Sequence, residues 1–147
     1  MNRETSEEYL ETIYKLSNGS TEESVRTGEI AKEMGFAPAT VTEVLPKLEE
    51  EGYLVYRPYY GVTLTKKGLD LGMNVVRTHR VLEVFLERYF SLGSEQLHEK
   101  ACLMEHIFDK DMIDEMCKRL GAPTECPHGN EIPSCKKKNC PLEGDLD

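Results

Sequence analysis

Between Thr27 and Leu64 the apolar residues pass from helical to alternating spacing, and few folds accommodate that order. Ile30, Ala31 and Met34 in "RTGEIAKEMG" recur at helical spacing and stop at Gly35, a residue suited to closing a helix. "FAPATVTEVLPKLEEEG" resumes the helical period through Val41, Val44, Leu45 and Leu48, with Pro38 acceptable in its first turn. Two short helices around a tight turn make a helix-turn-helix. "YLVYRPYYGVTLT" follows directly and alternates on both sides of a Pro and Gly segment, which predicts a β-hairpin placed as a wing. Pro46 lies well inside the second helix, where it deprives the Thr42 carbonyl of its usual amide and is expected to bend or end the helix.

Helices flank this head. Tyr9, Leu10, Ile13, Tyr14 and Leu16 predict a first helix ending near Asn18-Gly19, with Glu4, Glu7, Glu8 and Glu11 on the opposite stripe and Glu4 and Glu7 solvated. After the wing, "KKGLDLGMNVVRTHRVLEVFLERYF" predicts a long helix. "GSEQLHEKACLMEHIF" predicts another with Ser94 as N-cap, and "DKDMIDEMCKRLG" a third, opened by Asp109 and closed by Gly121. Cys117 falls in the apolar spacing of that last helix and reads as core. From Ala122 the Pro, Cys, Lys and Gly content predicts a tail of little regular structure, ordered only if something ties it down. The expected fold is therefore mainly α: a winged helix-turn-helix over residues 1–67, a second helical domain over 68–125, and a Cys-rich tail over 126–147.

The metal reading comes from polar residues that share helical faces. His98, Cys102, Glu105 and His106 are spaced by four, three and one, which stacks them along one side of a helix. His79 and Glu83 stand four apart on the preceding helix, and Glu8 and Glu11 lie near the N-terminus. Leu69, Met73, Val76, Glu83, Leu86 and Phe90 fall close to one line, so Glu83 occupies an apolar slot where an unpaired carboxylate would be costly. Imidazole, thiolate and carboxylate together suit first-row divalent ions, whereas carboxylates and water alone would suit magnesium or calcium. The plainer alternative for any one of these residues is a solvated helix position.

The totals narrow the function classes. A net charge of −9 with 31% charged residues argues against a general nucleic-acid coater, though not against a sequence-specific binder. No run of about 18 apolar residues predicts a membrane span, and "MNRETSEEY" lacks a signal-peptide core, so the expected location is the cytoplasm. Five cysteines without an export signal favour thiols and metal ligation over disulfides.

Across residues 5 to 133 the segments "EEYLETIY", "IAKEMGFAPATVTEVLPKLEEEGYL", "GVTLTKKG", "RTHRVLEVFL", "LHEKACLMEH" and "CPHGNEIP" resemble the metal-dependent repressors typified by the diphtheria toxin repressor, the iron-dependent regulator and the manganese transport regulator. The resemblance implies an ancillary metal site at His79, Glu83 and His98, and a primary site at Cys102, Glu105 and His106 with help from the first helix. Glu8 and Glu11 match the manganese branch, while Cys102 matches the iron branch, so the chain is a hybrid. The expected cofactor is a divalent transition metal, Fe(II) favoured and Mn(II) the alternative. An SH3-like domain such as the long relatives carry is not expected within these residues.

The resemblance also implies a homodimer on palindromic operator DNA of metal-homeostasis genes. Pro38 and Ala39 would approach thymine methyls, Thr40 and Thr42 phosphates, and Arg57 and Tyr59 the backbone or minor groove. Six positive and six negative side chains between Arg26 and Lys67 leave specificity to placement. Dimerisation is expected through Val84, Phe85, Tyr89 and Phe90. In the metal-free state, repulsion among Glu8, Glu11, Glu83 and Glu105 would hold the first helix away, and a cation would cross-link it. Cys126, His128, Cys135 and Cys140 offer soft ligands at a spacing that matches no standard finger, leaving a second metal site and reduced thiols both open. A redox or iron-sulfur regulator using those cysteines is the alternative function. A metallohydrolase would need an acid outside the ligand set, so the chain is not expected to be an enzyme.

Overall fold

The structure, a computed structural model, describes residues 1–133. Helix α1 (Arg3–Leu16) starts where the Asn2 side chain accepts the Thr5 amide at 2.8 Å, satisfying one of the donors that a helix start leaves bare. Its Tyr9, Leu10 and Ile13 are buried as the spacing predicts. The acidic stripe is not solvated throughout. Glu7 is only 2% exposed, and Arg3 Nε, one turn back, donates to it at 2.7 Å.

Helix α2 (Thr27–Met34) closes at Gly35 with φ +70°, and α3 (Pro38–Glu50) begins on Pro38. Strands β1 (Leu54–Arg57) and β2 (Gly61–Leu64) pair antiparallel, Leu54 opposite Leu64 and Arg57 opposite Gly61. The wing is fastened at its base by a bridge from Val25 to Val62 and by Ser24 Oγ, which donates to the Tyr60 carbonyl at 2.8 Å. Gly61 permits this approach: it has φ +110°, and a Cβ there would stand 2.5 Å from the Val25 carbonyl oxygen. Val41, Leu45, Leu48, Leu54, Val62 and Leu64 join the buried face of α1 in one apolar core.

Pro46 neither ends nor interrupts α3, which runs on to Glu50. Leu45 and Leu48 on either side are fully buried, and that anchorage outweighs one missing hydrogen bond on an exposed face. Pro46→Ala restores the Thr42 partner, so the expected result is a gain of about 1–3 kcal/mol in the urea-unfolding free energy.

Helix α4 (Lys66–Tyr89) leaves the wing and passes into a second compact unit; the two units are Met1–Met73 and Asn74–Asp147. In the second, α5 (Ser94–Met104) and α6 (Lys110–Arg119) pack Leu97, Ala101, Ile113 and Cys117 against Val81, Leu82 and Leu86 of α4. Buried Arg77 donates to Asp114 Oδ1 at 2.6 Å, Lys110 holds the other carboxylate oxygen at 2.6 Å, and Arg88 bonds the Leu120 carbonyl at 2.8 Å. The two arginines tie α6 to α4. The N-cap of α5 is Gly93 rather than Ser94, whose hydroxyl is engaged elsewhere. Asp109 caps α6 as expected, accepting from the Met112 amide at 2.8 Å.

The first part of the tail is tied down. Cys126 N bonds the Asn130 carbonyl at 2.9 Å, Ile132 N bonds the Thr124 carbonyl at 2.8 Å, and Arg80 of α4 donates to the Glu131 carbonyl. Cys126 and Ile132 are buried as a result. Cys135 and Cys140 lie outside the described residues. Among the described residues, no helix is long and apolar enough to cross a membrane.

Candidate metal centre

His79 and Glu83 face the same way from consecutive turns of α4, both nearly buried. His79 Nε2 lies 2.7 Å from Glu83 Oε1, and its Nδ1 lies 2.6 Å from Glu105 Oε2. Ionised carboxylates only accept hydrogen bonds, so a ring held by two of them carries a proton on each nitrogen. Burial opposes that charge. Hydrogen bonds with Cys102, Glu105 and Glu83 and the Glu105 charge prevail, raising His79 to about 11. For Glu83 too, burial works against ionisation, but the bond and charge of His79, joined by His128, hold the carboxyl below its ordinary value.

These shifts set the pH dependence of the metal-free protein. A raised His79 stabilises the fold fully below its ordinary 6.5 and loses that contribution as pH climbs toward about 11. A lowered Glu83 stabilises above its ordinary 4.5 and loses that contribution on acidification. The Tm in chelator should therefore peak between these two values and decline steadily through pH 7 to 10. A flat profile above 6.5 would show that the ring is neutral.

Around His79 three ligand types converge. Cys102 Sγ on α5 is 3.6 Å from His98 Nε2 and 3.9 Å from His79 Nδ1, and the two imidazole rings meet edge to face at 4.9 Å. One ligand atom from each of His79, His98 and Cys102 lies within 4.8 Å of the others. The expected four-residue helical face is shorter than the spacing implied. Because α5 ends at Met104, Glu105 is its C-cap and His106 follows in the turn, leaving His98 and Cys102 on the helix proper. Glu105 points its carboxylate to His79 instead, with His106 Nε2 3.4 Å from its other oxygen.

A second trio forms on the far oxygen of Glu83. Glu83, Cys126 and His128 bring one ligand atom each within 4.8 Å, and His128 is steadied by Ser94 Oγ at 2.8 Å. Glu83 Oε2 is buried and pairs with His128 Nδ1. Cys126 and His128 were legible as soft ligands, but their partner was not. The apolar slot of Glu83 signalled an unusual carboxylate, and neither Glu83 nor Ser94 is near them in sequence.

Both trios fit a divalent transition metal. Two imidazoles with a thiol, and a thiol and imidazole beside a buried carboxylate oxygen, are borderline-soft sets suited to iron, zinc, cobalt or nickel more than to magnesium or calcium. Glu8 and Glu11 stand on α1 of the first unit, where Lys15 Nζ donates to Glu11 Oε1 at 2.8 Å.

In the head, Pro38, Ala39, Thr40, Thr42, Arg57 and Tyr59 are all exposed. The Thr42 hydroxyl donates to the Ala39 carbonyl at 2.9 Å, so its proton is spent within the helix. Tyr59 at the wing tip is fully exposed in a left-handed conformation (φ 72°), a strained backbone for a bulky residue.

Residues 1–62 match the family described as iron dependent repressor, N-terminal DNA binding domain, and residues 65–134 match iron dependent repressor, metal binding and dimerisation domain. The iron-dependent repressor IdeR of Mycobacterium tuberculosis is 35% identical over 132 residues, covering 88% of this chain and 56% of that protein. The HTH-type transcriptional regulator MntR of Lysinibacillus sphaericus is 34% identical over 121 residues, covering 82% of this chain and 85% of that one. Among solved structures, that of the manganese regulator SloR superposes with a TM-score of 0.74 at 34% identity, over 87% of this chain and 59% of that chain. The chain thus spans little more than half the length of IdeR and SloR.

Proposed function

The chain belongs to the iron-dependent repressor family, and from that we propose that it is a metal-dependent transcriptional repressor, binding palindromic operators of metal-homeostasis genes as a dimer. The observation that carries the reading is the convergence of His79, His98 and Cys102 in the segment matched by the metal-binding domain. These three hold the principal ion, and Glu83, Cys126 and His128 hold a second. Glu105, bonded to His79, and His106 beside it complete the ligand set of the principal ion, and Glu8 and Glu11 enter it from the family pattern. A thiol and imidazoles favour Fe(II), with Mn(II) the alternative. The protein is not an enzyme in this reading. The redox or iron-sulfur alternative gains no support from relatives described as an iron-dependent repressor and a manganese regulator.

A bound divalent ion supplies positive charge where the metal-free protein has the His79 imidazolium. To ligate, His79 gives up a ring proton and loosens its hold on Glu83 and Glu105, which are then available to other partners. Metal affinity should accordingly rise with pH. Exposed Tyr89, Phe90 and Met112, with the groove lined by Phe85, Phe108, Met116 and Leu120, support pairing of two copies. Pro38, Ala39, Thr40, Arg57 and Tyr59 face the DNA, with Thr42 contributing through its oxygen.

An anaerobic operator-binding titration with Fe(II), Mn(II), Zn(II) and Ni(II) tests the proposal. Operator affinity should appear with metal, be removed by chelator, and be lost in Cys102→Ala. Tight binding without metal that chelator leaves unchanged would overturn it.

A further inference from the structure

We propose that Lys15 sets the metal preference of the repressor: its ammonium group occupies Glu11 and turns the response from Mn(II) toward Fe(II). The inference rests on Glu11 belonging to the ligand set, as in the repressor reading.

Glu11 and Lys15 stand one turn apart on α1 with the carboxylate toward the N-terminus, the order that favours an ion pair along a helix. Lys15 Nζ donates to Glu11 Oε1 at 2.8 Å. The pair is lopsided in exposure, since the Glu11 side chain is 11% exposed and the Lys15 side chain 39%. Charges beside a nearly buried carboxylate are screened less than those in open water, so this ammonium counts for more than one in a surface pair. Glu8, the other α1 carboxylate of the family pattern, has Thr12 one turn on, and that hydroxyl donates to the Glu8 backbone carbonyl at 2.9 Å. Lys15 therefore acts on one of the two carboxylates.

A carboxylate that already carries an ammonium is a poorer metal ligand for two reasons. Its charge is partly neutralised, and the ammonium repels a second cation on the same group. The loss falls unevenly on the metals. Mn(II) binds weakest of the first-row divalent ions and draws on hard oxygen ligands, so it depends on each carboxylate it can gather. Fe(II) binds nitrogen and sulfur more firmly, and it keeps the imidazoles and thiol of His79, His98 and Cys102 whether or not Glu11 joins them. A neutral donor at position 15 would orient Glu11 without the repulsion, so the charge of Lys15 is the property that matters.

The test is anaerobic operator binding by the full chain, titrated with Mn(II) or Fe(II) alone, for wild type, Lys15→Met, Lys15→Gln, Glu11→Gln and the double variant Lys15→Met with Glu11→Gln. Circular dichroism in chelator checks each fold. Lys15→Met and Lys15→Gln should both lower the Mn(II) concentration at half-maximal binding about ten-fold, the lower end for changing the partner of a metal ligand. The Fe(II) concentration should fall by much less. Electron paramagnetic resonance of Mn(II) should show the same gain in direct binding without DNA. With Glu11→Gln in place, removing Lys15 should have no further effect. Weaker Mn(II) binding in both single variants would show that Lys15 orients Glu11 as a ligand, and an unchanged Mn(II)-to-Fe(II) ratio would show that the pair only braces α1. Either result overturns the inference while the repressor reading stands, as do gains that persist with Glu11→Gln. Operator binding by the wild type that neither metal nor chelator alters would overturn both.

Discussion

His79→Ala is expected to lower the stability of the metal-free protein by about 3–5 kcal/mol near pH 6, the cost of stripping the partner from buried charges. The ring is the counter-charge for two carboxylates that are themselves only 3% exposed at the side chain, so its removal takes from both Glu83 and Glu105 the partner they share and leaves them largely buried. For a chain of this length the Tm should fall by roughly 6–20 °C. The loss should shrink below pH 4.5, the ordinary value for Glu83, as the carboxyls that lost the ring take up protons. That pH dependence separates a charge effect from a simple cavity, which would cost the same at any pH. Isothermal titration should also show metal affinity weakened at least about ten-fold, the lower end for disturbing a metal site's shell. A Tm change that did not vary with pH would mean that His79 is only a space-filling residue.

Gly68→Ala should be the most damaging change in the head, with a loss of about 3 kcal/mol or more from backbone overpacking. A Cβ at Gly68 would lie 1.9 Å from the Tyr53 carbonyl oxygen and 2.8 Å from its carbon, and backbone cannot step aside as a side chain can. The first turn of α4 is held on the turn after α3 at several points. Thr65 N bonds the Tyr53 carbonyl at 3.1 Å, Thr65 Oγ1 the Gly52 carbonyl at 2.6 Å, and Lys67 Nζ the Glu51 carbonyl at 2.8 Å. Making room for a methyl group means loosening these bonds together. Gly28→Ala is the control, because nothing lies within 4 Å of a Cβ there. Urea unfolding should place the two variants on opposite sides of wild type, and equal midpoints would show that the close approach carries no energetic weight.

Much of the architecture was legible because it rests on local periodicity. The apolar spacing of α1, α2, α3 and α6 marked the faces that are buried, and the break at Gly35 and the alternation around Pro58 and Gly61 marked the turn and the wing. That Pro46 does not end α3 has a reason of the same kind. Local rules price the missing hydrogen bond, whereas Leu45 and Leu48 hold the helix through tertiary burial. Ser94 and Glu7 were misplaced likewise: a cap and a solvated glutamate are local defaults, and His128 and Arg3 offered better partners.

For the metal centre, the ligand types and the helix faces that carry them follow from residue order alone, since a side chain's direction about its own helix follows from its position in the turn. Glu83 on an apolar line already marked a carboxylate that needed a partner. Which partners it has was decided only by the tertiary structure. The packing of α4 against α5 gathers His79, His98 and Cys102, and the tied-down segment after α6 brings Cys126 and His128 to Glu83 across more than forty residues of chain. Helical spacing carries no information about that meeting. It depends on which buried faces come together, and so on the whole set of apolar contacts and charged ties that hold α4, α5, α6 and residues 122–133 as one unit.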